Sequence, residues 1–115
     1  MERYIAILKT YSDLLQFLHW NTAKDYAAHI LFERLMGDIP DLLDRFVEVS
    51  MGNKGILSVS FDSFKKEKIE TNVDLRKFIE NAKSEFNVLL VSSNETEQNV
   101  IVDILEMFDR HLYLL

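Results

Sequence analysis

The residues of this 115-residue chain that could do chemistry concentrate between positions 19 and 48. His29 and Glu33 stand four residues apart, as do Asp44 and Glu48, and the pair His19-Trp20 lies ten residues before His29. On an α-helix a separation of four brings two side chains onto one face, so each pair can offer imidazole nitrogen or carboxylate oxygen to a cation. At about 100° per residue, positions 29, 33, 44 and 48 fall near 0°, 40°, 60° and 100° of a single helix, a stripe about a quarter-turn wide. Along the axis, however, the step from Glu33 to Asp44 covers roughly 16 Å at about 1.5 Å per residue. Bonds from a metal to oxygen or nitrogen are only about 2.0 to 2.6 Å, so the spacing predicts two half-sites rather than one site. If two copies pack antiparallel about a two-fold axis, residue i faces roughly residue 77 minus i, and His29 and Glu33 of one copy meet Glu48 and Asp44 of the other; such an isologous dimer completes two equivalent sites. The same rule sets Gly37 opposite Pro40, where a small residue would let the helices approach closely.

Composition narrows the ions and the partners. Without cysteine there are no disulfide staples and no thiolate ligands, so a metal would rest on oxygen and imidazole, which favours hard or borderline ions such as iron or manganese. The formal net charge of −6 repels a polyanion and disfavours DNA binding. The clustered lysines, Lys65, Lys66 and Lys68, are interrupted by Glu67 and read as a solvated turn. Neither a secretory leader nor a membrane-length apolar run is visible, and a cytoplasmic protein is expected.

Four helices are expected to position these residues in one all-α domain spanning 1–115, a class favoured by 48% hydrophobic residues with three Gly and one Pro. Residues 1–21 repeat apolar side chains at helical spacing (Ile5, Leu8, Leu15 and Leu18, with Tyr4 and Tyr11 on neighbouring turns). Thr22 and Asp25 form a capping box for a second helix running to about Met51. Pro40 removes one backbone hydrogen bond from it and kinks it, or splits it at Asp38. From Gly52 to Glu70 the pattern breaks into a long crossing connection with a short helix near residues 60–68, which lets the third helix lie parallel to the second. Thr71 or Asn72 caps that helix, with Leu75, Phe78, Ile79, Ala82, Phe86, Leu89 and Leu90 inward. Asn94 and Glu97 cap the fourth, whose inward set is Val100, Ile101, Ile104, Leu105, Phe108, Leu112 and Leu115. His111 is expected at the surface, favoured near a helix C-terminus by the dipole, and Asp38 is expected to be solvated.

The run Leu18-His19-Trp20-Asn21, followed by His29, Phe32-Glu33, Asp44 and Glu48, resembles the ferroxidase signature of the Dps family, the mini-ferritins. In that family a His-Trp pair at the end of the first helix precedes a His-x3-Asp and an Asp-x3-Glu on the second, and the 33-to-44 spacing matches. The segment Asp109-Arg110-His111-Leu112-Tyr113-Leu114-Leu115 is similar to the end of that family's fourth helix. The resemblance implies a ferritin-like four-helix bundle with a long crossover between helices 2 and 3. It further implies a two-fold homodimer within a twelve-subunit shell, and Fe(II) oxidised with hydrogen peroxide at intersubunit di-metal sites. The ligands it implies are His19, His29 and Glu33 of one subunit with Asp44 and Glu48 of another; zinc is a further divalent candidate for them, and Trp20 is a redox aromatic. Three features depart from the pattern. Glu33 stands where the family has Asp, the interval from His19 to His29 is about two residues short, and the lysine-rich tail is lacking.

A plainer reading runs beside this one. An i, i+4 pair of His and Glu is ordinarily a surface helical pair, His19 can be a packed ring that donates to a carbonyl, and Trp20 can be core or interface packing. The competing function is then a non-catalytic Dps-like helical-bundle dimer serving as an interaction or structural protein.

Overall fold

The computed structural model describes residues 2–55 and 75–115. These form five helical segments: α1 (Glu2–Asn21), α2 (Tyr26–Gly37), α3 (Ile39–Lys54), α4 (Leu75–Val91) and α5 (Glu95–Leu114). Among the described residues the architecture is all-α, a bundle of helices around one core. The expected crossing connection, its short helix, the Lys65, Lys66 and Lys68 turn and the Thr71 or Asn72 cap all fall within 56–74, outside the described residues.

The local signals explain most boundaries, with corrections at the second helix. Its N-cap is Asp25, whose carboxylate accepts the Ala28 N–H at 3.2 Å. Thr22 closes α1 instead, its hydroxyl donating to the Leu18 carbonyl at 2.7 Å. Both residue types can cap, and the four-residue turn uses one on each side. The second helix also divides at Asp38. A proline at 40 has no N–H to return to the Met36 carbonyl, so the helix stops and α3 begins with Pro40 in its first turn, where an N–H is not needed. Asp38 keeps right-handed helical dihedrals (φ −77°, ψ −14°), which makes the interruption a joint of one residue rather than a reversal. The single stripe expected from 29 to 48 therefore belongs to two helices. Beyond Met51, α3 continues to Lys54 and ends at Gly55, whose φ of +83° is strained for other residues. On the last helix, Asn94 accepts the Glu97 N–H at 2.9 Å as its sequence predicts.

The core is centred on aromatic rings contributed by four helices. Phe86 of α4 lies 5.4 Å from Tyr4 of α1, 5.7 Å from Phe46 of α3 and 6.1 Å from Phe108 of α5, all tilted or edge-on, the geometry ring quadrupoles favour. Ile5, Leu8, Leu15, Ile79, Ala82, Leu89, Val100, Ile101 and Ile104 surround it as periodicity predicts, joined by Leu14 and Met107. Leu115 is exposed instead of inward, since the helix ends one residue before it. Polar pairs fix the helix directions. Arg3 meets Glu85 at 2.6 Å, Tyr4 meets Phe86 and Tyr11 meets Phe78, so α1 and α4 are antiparallel. Asp38 meets His111, Arg45 meets Asp103 and Asn53 meets Asn94, so the chain from the joint through α3 is antiparallel to α5. Lys83 pairs with Asp109, and Arg76 donates to the Leu112 carbonyl, so α4 is also antiparallel to α5. Exposed pairs of this kind contribute only about 0 to 1 kcal/mol each; their value here is in register.

Because Phe86 joins rings from three other helices, its truncation should be the costliest single change in the core. Phe86→Ala is expected to lower unfolding stability by about 3 to 5 kcal/mol, measurable by urea denaturation. A loss below 1 kcal/mol would show that the cluster is not the centre of packing.

Candidate functional site

The four-residue turn between α1 and α2 brings the last turn of one helix against the first turns of the next. His19 and His29 face each other there and stack, ring centroids 3.9 Å apart and planes 18° from parallel. Each ring also holds the other's backbone. His19 Nδ1 donates to the His29 carbonyl at 3.0 Å, and His29 Nδ1 donates to the His19 carbonyl at 2.6 Å. A carbonyl can only accept, so the proton of each neutral ring is on Nδ1 and the lone pair is on Nε2. Orientation by an Nδ1–H to carbonyl bond is the usual second-sphere arrangement of a metal-binding imidazole. It also satisfies the plainer reading of a packed histidine. The short His19 to His29 interval thus sets the two rings side by side.

The stacking limits what they can hold. An imidazole lone pair lies in the ring plane, and two nearly parallel rings do not aim theirs at one point. Each ring therefore offers a separate donor.

The carboxylates sit apart from this pair. Glu33 follows His29 by one turn on α2, Asp44 and Glu48 are one turn apart on α3, and all three are exposed. Among the described residues, no three His, Asp or Glu side chains of the chain converge on a point where a metal could be held. Trp20 is not core: it is 57% exposed and packs edge-on against Phe17 at 5.6 Å. Tyr26 and Ile30 of α2 are exposed as well.

A second polar cluster was not anticipated. His111, expected at the surface, is 0% exposed. Its Nδ1 is 2.7 Å from the Tyr11 hydroxyl, and its Nε2 is 2.8 Å from Asp38 Oδ2, which also lies 3.4 Å from Arg110. Asp38 is thus half-buried and paired rather than solvated. The pattern did carry the signal: positions 104, 107, 108 and 111 form one helical stripe. With the ring neutral, Nε2–H donates to Asp38 and Nδ1 accepts the Tyr11 hydroxyl. Burial pushes the His111 pKa below its ordinary value of 6.5, aided by Arg110, while the hydrogen bond and charge of Asp38 pull the other way. Burial raises the Tyr11 phenol well above its ordinary value, and the Asp38 charge adds to that.

Residues 19–115 match the model of DUF5856, a family of unknown function, and the chain belongs to that family. It matches no curated protein and no solved structure.

Tyr11→Phe removes the donor to His111 Nδ1 and strands a buried acceptor, which should cost about 1 to 3 kcal/mol of stability. For pH, the sign follows from His111. Its pKa in the fold lies below the unfolded value of 6.5, so the unfolded chain takes up the proton first. The stability this group supplies is present above about 6.5 and is lost as pH falls through that value. Thermal melts from pH 8 to 5 should show it, and a melting temperature that rises on acidification would refute the assignment.

Proposed function

We propose that the chain is a Dps-like mini-ferritin that binds Fe(II) as substrate at sites shared between two copies and oxidises it with hydrogen peroxide. The observation that carries this reading is the His19–His29 pair. It offers two Nε2 donors oriented by Nδ1–H bonds to carbonyls, one for each of two ions. Reduction of one peroxide needs two electrons, and two Fe(II) ions supply them. The O–O bond breaks, each iron loses one electron, and two protons are taken up to give two waters and two Fe(III). A site that holds the ions as a pair therefore delivers electrons in the number that releases no radical.

The chain's own residues have distinct parts in this scheme. Neutral imidazoles suit Fe(II), while Glu33 of one copy with Asp44 and Glu48 of the other supply the negative charge that favours Fe(III). Longer than the aspartate of the Dps pattern by one methylene, Glu33 extends the reach of that carboxylate. Exposed Trp20, next to His19 in sequence, serves as a reductant for stray oxidising equivalents. Manganese or zinc could occupy the same donors. The helix directions support a ferritin-like bundle: with both α3 and α4 antiparallel to α5, these two run the same way, as helices 2 and 3 do in that fold. We place this activity in the cytoplasm, in iron detoxification by a dimer or storage by a dodecamer.

A second reading draws on the same contacts. The reciprocal His–carbonyl bonds staple α1 to α2, which is all that a non-catalytic helical-bundle dimer would ask of them.

Two measurements separate these readings. The Glu33→Ala, Glu48→Ala double variant should lower peroxide-dependent Fe(II) oxidation at least tenfold with its helical content intact. A rate equal to the parent's would sink the ferroxidase reading. A Cβ at Gly37 meets nothing within 4 Å in the single chain, so Gly37→Ala should leave the fold unharmed yet weaken an antiparallel dimer that crosses there. Sedimentation velocity reads this, and a dimer unaffected by the substitution would refute the crossing point.

A further inference from the structure

We propose that the buried chain of contacts from Tyr11 through His111 to Asp38 is a lock on the α2–α3 joint, and that protonation of His111 releases it. Asp38 is the one residue between α2 and α3. Pro40 deprives this joint of a backbone hydrogen bond, so side chains must fix its angle. The Asp38 carboxylate accepts His111 Nε2–H at 2.8 Å and faces Arg110 at 3.4 Å, both from the last turns of α5. His111 accepts in turn the hydroxyl of Tyr11 at 2.7 Å, with the rings 5.7 Å apart. One continuous set of bonds therefore ties α1 and α5 to the joint.

This set works in one protonation state. On a protonated ring Nδ1 becomes a donor and points a hydrogen at the Tyr11 hydroxyl, whose own proton must turn away from its acceptor. The groups facing His111 divide by sign. Asp38 at the joint favours the imidazolium, Arg110 on α5 opposes it, and Tyr11 of α1 is neutral. Arg76 of α4, which donates to the neighbouring Leu112 carbonyl at 3.2 Å, brings a further cation to this end of the bundle. The His111 ring is fully buried and packs on Tyr11, whose own ring packs on Phe108 and Phe78, and this burial adds the cost of desolvating the charge. The balance opposes the charged ring inside, and acid favours an arrangement in which His111 reaches water.

The joint separates His29 and Glu33 on α2 from Asp44 and Glu48 on α3, so its angle sets how the two half-sites are presented. That consequence rests on the metal-site reading above; the lock itself does not.

The experiment uses the absence of cysteine. Spin labels at Ala27→Cys and Gly52→Cys, both exposed and on opposite sides of the joint, report its angle in metal-free protein diluted with unlabelled chains. A narrow distance distribution at pH 7.5 should broaden and shift at pH 5.5 while circular dichroism shows the helices retained. His111→Gln should stay narrow at both values, since its amide can donate to Asp38 and accept from Tyr11 but does not titrate. Asp38→Asn, which removes the anion that favours the imidazolium inside and weakens the bond to the joint, should move the release to higher pH. The proposal is overturned by a distribution that does not change in the parent, by the same change persisting in His111→Gln, or by helix loss in step with the distance change. Co(II) binding at pH 7.5, read by its visible absorption, tests the metal-site reading separately; its failure would sink that reading while the distances still decide the lock.

Discussion

A proline has no amide hydrogen, and at position 40 that deficit organises much of the molecule. The helix that would carry His29, Glu33, Asp44 and Glu48 as one rod is instead two segments hinged at Asp38. The break leaves the Asp38 side chain to seek partners outside its own helix, and it finds them in the last turns of α5. Through His111 the same contacts reach Tyr11, whose ring packs on Phe78 and Phe108. The joint and the aromatic core are therefore continuous with one another, and the angle between α2 and α3 is set by the packing of the whole bundle.

How much of this could be read from the residues depended on whether the controlling contact was local. The courses of α1, α4 and α5 follow from apolar spacing, and the start of α5 from Asn94, because these signals act within one or two turns. The break at Asp38 is one of the two outcomes that the proline permits. Thr22 and Asp25 are both able to cap, so the boundary between α1 and α2 depended on a turn geometry that spacing alone does not specify. For His111 the controlling contacts are distant in sequence. Its position on the apolar stripe was visible, but a histidine near a helix end also fits the dipole, and only the distant Tyr11 and Asp38 make its burial tolerable.

The candidate site divides along the same line. That His29 and Glu33 share a turn, and Asp44 and Glu48 another, is a property of the helix and was legible. The stacking of His19 on His29 depends on how two helices meet, and the ten-residue interval did not reveal it. The carboxylates of α3 lie a helix away from the imidazoles, as the rise per residue requires. What would unite them in the proposed function is a second copy of the chain.

One consequence of the stacked imidazoles concerns charge. Two rings stacked 3.9 Å apart could each hold a divalent cation, but two neighbouring divalent cations repel one another, and more strongly in a drier interface than in water. The rings cannot offset this; only nearby anions can. In the proposed dimer those anions come largely from the other chain, so occupancy by the second ion and association of the chains are thermodynamically linked, each strengthening the other by the same factor. Such a pair would respond jointly to the supply of iron and to the concentration of the protein itself.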